Sequence, residues 1–173
     1  MKIVFILGYS GVGKSTLGRY FEKERGWVHI EGDPASQNTT NSDAIAPPPG
    51  GLFTNQYFNE VRNYLDKTRR CSALITMPSN TIIDQAVSNR LHSIGVQAAY
   101  LMAPPYFCLE QFLKREKATG RGLTAYHWIA NNLQLSHFLT SPIGAGTLKF
   151  IDVTCGGERT SLDKIHDSLI SQI

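Results

Sequence analysis

The stretch Gly8-Tyr9-Ser10-Gly11-Val12-Gly13-Lys14-Ser15 constrains this 173-residue chain more than any other. It fits G-x-x-x-x-G-K-[ST] at every fixed position, directly after the apolar run Ile3–Leu7 and directly before a segment of helical character. Glycines let the backbone turn tightly and aim successive N–H groups inward, and a helix that starts there adds the positive end of its dipole. Gly8, Ser10, Gly11, Val12, Gly13, Lys14, Ser15 and Thr16 are therefore expected to wrap an anionic phosphate. Lys14 would supply a mobile positive charge for the outer phosphates, and the Ser15 hydroxyl would face Mg²⁺. The pattern reads phosphates and not a base, so ATP and GTP both fit it.

The rest of the chain supplies what such a loop needs around it. Five short, nearly continuous apolar runs read as strands covered on both sides: Lys2–Leu7, Trp27–Glu31, Ser72–Met77, Gln97–Met102 and Leu148–Val153. Helical spacing marks Lys14–Glu24, Phe53–Thr68, Ile82–Ile94, Tyr106–Ala118, Tyr126–Phe138 and Ser161–Ser171, with Gly26 and Gly95 at helix ends and Ser161 as an N-cap. Strands alternating with helices predict an α/β domain with a five-stranded parallel sheet and helices on both faces. The length suits one domain, residues 1–173. The segment Pro34–Gly51, rich in Asn, Thr, Ser and Pro, is too long for an ordinary connector and reads as functional or disordered.

Composition narrows the classes. At 42% hydrophobic and 18% charged, the chain is too apolar for a disordered protein. Its longest apolar run near the N-terminus falls far short of the roughly 20 residues that span a bilayer, so a cytoplasmic protein with no membrane partner is expected. A formal net charge of +3 suits an anionic ligand such as ATP without the basic stripe of a typical nucleic-acid binder. Cys71, Cys108 and Cys155 have neither disulfide nor zinc spacing and are expected to be buried small hydrophobes.

Glu31-Gly32-Asp33 closes the second predicted strand, on the side where open α/β sheets hold their ligands. Phosphoryl transfer to an alcohol needs one carboxylate to take the hydroxyl proton, and a second can hold Mg²⁺. Asp33 is the expected base and, with Ser15 and Glu31, part of the magnesium site. The third strand runs into Pro78-Ser79-Asn80 without an Asp, which leaves the metal carboxylate to this acidic pair.

The chain at this point resembles the small-molecule kinase branch of the P-loop fold, which holds gluconate kinase, shikimate kinase and the nucleoside monophosphate kinases. Gly8–Thr16 matches the phosphate loop of that branch, and Glu31-Gly32-Asp33 is similar to the Asp-x-Asp that gluconate and shikimate kinases carry after their second strand, with Glu in the first place. Arg115 and Thr119-Gly120-Arg121-Gly122 resemble the arginine-bearing lid, and Cys155–Thr160 resembles the loop that flanks adenine. The resemblance implies the three-layer P-loop NTPase fold with a small lid at about 115–128 and an acceptor-binding segment at about 33–62. It also implies that Arg121 and Arg115 join Lys14 and Asp33 as catalytic residues.

The acceptor segment has a distinct chemistry. Between His29 and Val61 there is no Lys or Arg, although an anionic acceptor normally needs a guanidinium. Ser36, Gln37, Asn38, Thr39, Thr40, Asn41, Asn55 and Gln56, with Phe53, Tyr57 and Phe58, suit a neutral hydroxyl compound or a stacked base, while the three aromatics fit the core equally well. Two acceptors fit, a small polyol or sugar-like metabolite and a hydroxymethylated base in DNA. In the second case Lys67, Arg69 and Arg70 would track the phosphate backbone. A nucleotide-gated binding module without acceptor chemistry is the reading from another class.

Overall fold

The computed structural model describes residues 1–32, 54–140 and 149–172. Five strands form one parallel sheet: β1 (Lys2–Leu7), β2 (Val28–Glu31), β3 (Ser72–Thr76), β4 (Val96–Met102) and β5 (Lys149–Asp152). Their order is β2-β3-β1-β4-β5, so the phosphate loop leaves the central strand. Around the sheet lie α1 (Lys14–Arg25), α2 (Asn55–Lys67), α3 (Gln85–Ser93), α4 (Pro105–Thr119), α5 (Ala125–Thr140) and α6 (Leu162–Gln172). Each predicted strand and helix is present with ends shifted by up to three residues. A small antiparallel hairpin, β6 (Thr154–Cys155) and β7 (Glu158–Arg159), stands where the sequence suggested only a loop.

The layering follows from the direction of each crossover. The path from β1 to β2 moves one way across the sheet and every later step moves the other way, so right-handed connections put α1 on one face and α2 to α5 on the opposite one. Side chains agree. Leu7 and Tyr100 lie in register, the Tyr100 hydroxyl accepts from the Ile83 N–H at 3.0 Å, and the Phe5 ring meets Phe58 of α2 at 5.8 Å. On the other face α1 packs beside α6, where Phe21 meets His166 at 5.1 Å and Arg25 pairs with Asp163 at 2.7 Å. With both faces covered, the central strand is buried from Ile3 to Leu7, which is why its sequence shows no alternation.

Several expectations need correction. Of the two readings of Tyr57 and Phe58, core and acceptor contact, their complete burial on α2 favours core. Of the cysteines only Cys108 is buried; Cys71 and Cys155 are exposed. Lys67, Arg69 and Arg70 lie where α2 runs into β3, beside the start of β1, since the Cys71 carbonyl accepts from the Lys2 N–H at 2.9 Å. A six-residue strand spans roughly 20 Å, so these cations sit at the end of the sheet away from the phosphate loop. Among the described residues no helix is long and apolar enough to cross a membrane.

Candidate nucleotide and phosphoryl-transfer site

The phosphate loop is held from below by α4. A Cβ placed on Gly11 would come within 2.1 Å of the Cys108 carbonyl oxygen and 2.9 Å of the Phe112 nitrogen, and φ there is 88°, so only glycine fits. Burial pushes the Cys108 thiol up to about 11, with Lys14 opposing in part, so this sulfur is a neutral packing group. Gly13 caps α1 in the left-handed conformation without a side-chain cap bond, and no acid stands in the first turn. The positive end of the helix dipole there favours an anion. Lys14 folds back over the loop, its Nζ donating to the Gly8 carbonyl at 2.8 Å and the Tyr9 carbonyl at 3.0 Å.

A second cation stands at the same place. A Cβ on Gly13 would lie 2.1 Å from Arg159 Nη2, so the guanidinium of the β6–β7 hairpin covers the start of α1. A positive group at a helix N-terminus is repelled by the dipole, and an anionic ligand between them would reverse that sign.

The acidic side of the crevice is only partly described. Asp33, Ser36, Gln37, Asn38, Thr39, Thr40, Asn41 and Phe53 lie outside the described residues, as does the whole of 33–53 in the predicted acceptor segment. Glu31 ends β2 and Thr76 ends β3, in register with each other and with Ile6 of β1. The buried Thr76 hydroxyl donates to Glu31 Oε1 at 2.9 Å and also meets His29 Nε2 at 3.0 Å. With its proton committed to Glu31, Thr76 accepts from His29, which fixes the Nε2–H tautomer and leaves Nδ1 buried without a partner. Burial, with Arg19 adding repulsion, holds the His29 pKa down at about 4. His29 is a neutral core histidine that steadies the carboxylate end of β2. Gly32 also bonds there, through its N–H to the Thr76 carbonyl at 2.8 Å.

The two lid arginines converge on one acid. Arg115 and Arg121 both place Nη2 at 2.8 Å from Glu116 Oε1, and Arg115 Nε adds a bond at 3.0 Å. Glu116 is buried while the guanidinium groups remain about half exposed, and its Oε2 has no partner. Two cations on one carboxylate leave a net positive cluster at the end of α4. Helix α4 runs to Thr119 and α5 starts at Ala125, so of the predicted lid 115–128 only the turn at 120–124 lacks regular structure.

No protein-family model and no curated protein matches the sequence. Solved structures do superpose on it. A shikimate kinase from Acinetobacter baumannii, in complex with shikimate, aligns over 99% of this chain and 94% of its own, at 19% identity and TM-score 0.54. A deoxyadenosine kinase from M. mycoides with bound dATP aligns over 99% of this chain and 98% of its own, at 15% identity and TM-score 0.50. The chain has the P-loop kinase fold. A gluconokinase from Sinorhizobium meliloti aligns over 99% of this chain and 90% of its own at 17% identity and TM-score 0.48.

Within this kinase fold the sequence pointed to the loop, Lys14 and the lid arginines, and missed their supports. Thr76, Glu116, Asn132 and Arg159 carry no motif of their own. A buried Glu between arginines and an Asn inside a helix were weak signals, visible only as residues in unfavourable places.

Proposed function

We propose that the chain is an ATP-dependent phosphotransferase that moves the γ-phosphoryl group of ATP to a hydroxyl of a neutral, polar small molecule. The observation that carries this reading is the start of α1, where a helix N-terminus without a side-chain cap, Lys14 and Arg159 meet at a glycine-lined loop. Gly8, Ser10, Gly11, Val12, Gly13, Lys14, Ser15 and Thr16 would form the nucleotide cradle. Lys14, Arg121 and Arg115 would stabilise the charge spread over the transferring oxygens. Asp33, directly after the anchored Gly32, would take the acceptor proton.

Mg²⁺ fits the donors present. Glu31 is a hard oxygen ligand at the C-terminal end of β2, held by a buried hydroxyl at the end of a β3 strand that has no acid of its own. Ser15, Glu31 and Asp33 would hold the ion, directly or through water. The ion would neutralise charge on the outer phosphates.

A neutral acceptor is favoured by the placement of the basic residues as well as by the cation-free run from His29 to Val61. Arg62 donates to the Ile94 carbonyl and Arg70 to the Gly26 carbonyl at 3.0 Å, just before β4 and β2 begin, so neither reaches the ligand end of the sheet. The position of Lys67, Arg69 and Arg70 removes the electrostatic support for a DNA acceptor. Residues 33–62 would bind the acceptor and 115–128 would close over the phosphates.

The test is a screen with γ-labelled ATP and Mg²⁺ against polyols, sugars, nucleosides and hydroxymethylated DNA. Label is expected on a neutral small molecule, and Asp33→Asn should remove at least about 100-fold of turnover with ATP affinity kept. Label on DNA alone would replace the acceptor class. ATP binding without transfer to any acceptor would favour a nucleotide-gated module.

A further inference from the structure

We infer that Asn132 and Trp128 of α5 are positioning residues that hold the phosphate loop in its nucleotide-ready shape by fixing the peptide groups of Ser10; this rests on the nucleotide-binding reading above. Trp128, Asn132 and Ser136 are four residues apart and therefore form one stripe on the helix. All three touch the loop. The Ser10 N–H donates to Asn132 Oδ1 at 2.9 Å, and the Ser10 carbonyl accepts from Trp128 Nε1 at 2.8 Å. The Ser10 hydroxyl donates to Ser79 Oγ at 2.9 Å, so its backbone donor, its backbone acceptor and its side chain are all engaged. Next to it the Tyr9 hydroxyl lies 3.2 Å from Ser136 Oγ, and the Tyr9 ring packs against Trp128 at 5.7 Å.

Asn132 is suited to this place and little else is. It is 1% exposed, and its Nδ2 donates to the Trp128 carbonyl at 2.6 Å while Oδ1 accepts from Ser10. The amide orientation is thus fixed by partners that can each play only one part. Asn is a poor helix former and is seldom buried, so its presence mid-helix calls for a compensating bond, and the loop supplies it. A carboxylate could not donate to Trp128, and a leucine could not accept from Ser10.

A loop fixed before ligand arrives loses less freedom when it binds. Because α5 starts directly after the turn that carries Arg121, the same bonds fix where the lid is anchored. Trp128 and the rest of α5 would then stay on the loop while the lid residues ahead of Trp128 close.

The test is Asn132→Leu, which keeps the branching at Cγ and improves helix propensity while removing both side-chain hydrogen bonds. ATP·Mg²⁺ affinity, measured by titration calorimetry, should fall about tenfold because nucleotide must then order a loop that is no longer held in shape. The melting temperature without nucleotide should fall by no more than a few degrees, because the better helix propensity of Leu offsets part of the cost of the unpaired Ser10 N–H. KM for ATP should rise with kcat kept within about twofold, since saturating nucleotide restores the loop. Trp128→Phe keeps the ring against Tyr9 and should weaken ATP about threefold by removing one donor. Combined with Asn132→Leu it should add less than its separate effect, because both act on one residue. If Asn132→Leu does not fold, Trp128→Phe decides alone. Unchanged ATP affinity, or a loss that only tracks a lower melting temperature, overturns the inference and leaves the kinase reading standing. An unaltered chain that binds no ATP overturns both.

Discussion

The phosphate loop and the lid turn are both rich in glycine, yet their glycines are used in opposite ways. A Cβ at Gly8, Gly11 or Gly13 would meet another atom at 2.6 Å or less, whereas one at Gly120 or Gly122 would find nothing within 4 Å. All five have positive φ. At Gly8 and Gly11, glycine is required by conformation and by space together, with backbone of β4 and α4 against it, while at Gly13 the near atom is the movable end of Arg159. In the lid only the conformation asks for it, and the turn is surrounded by open volume. One region is packed against its surroundings and the other stands in open volume.

Substituting across that contrast gives the largest effect. Gly11→Ala should destabilise the chain by about 4 kcal/mol, combining the cost of a left-handed residue with displacement of α4 backbone, as read by denaturant unfolding. A loss under about 1 kcal/mol would mean that α4 yields and that the loop is less firmly seated than its contacts indicate.

Acidification probes the packed side through His29, whose ring lies against Gly18 of α1. Its pKa is about 4 in the fold against the ordinary histidine value of 6.5, so below pH 6.5 the unfolded chain takes up a proton that the folded chain refuses. Stability should be flat from this source above pH 6.5 and fall by about 3 kcal/mol by pH 4. His29→Gln should flatten that part of the curve in urea melts taken across the range. The same slope in the variant would locate the titrating group elsewhere.

The smallest effect belongs to the open side. Gly120→Ala should lower stability by about 1 kcal/mol, the cost of positive φ alone at the end of α4. A loss as large as that at Gly11 would show that the lid turn is packed in solution and erase the contrast.

The same contrast explains what could be read before the structure. Sheet, helices and loop were legible because each is specified by neighbours in the chain: apolar runs for covered strands, Gly26 at the end of α1, and glycines followed by Lys-Ser for the cradle. Tyr57 and Phe58 could be read as core or as acceptor contacts, because aromatic composition is the same in both settings. The direction of Lys67, Arg69 and Arg70 depended on which end of the sheet α2 reaches, and this follows from topology rather than charge. The β6–β7 hairpin is too short to show a period, so Arg159 carried no sign of its place above Gly13.

The sequence by itself determined the chemistry that can be local: a glycine-lined turn that presents N–H groups, a lysine beside it, and an acidic pair at a strand end. Tertiary structure alone decided the partners, with Asn132 brought to Ser10 across 122 residues, Arg115 and Arg121 joined on Glu116, and Thr76 set between Glu31 and His29. The reason is physical. A turn or helix end is encoded in the few residues that form it, whereas a buried polar side chain states only that it needs a partner and not where the fold will place one.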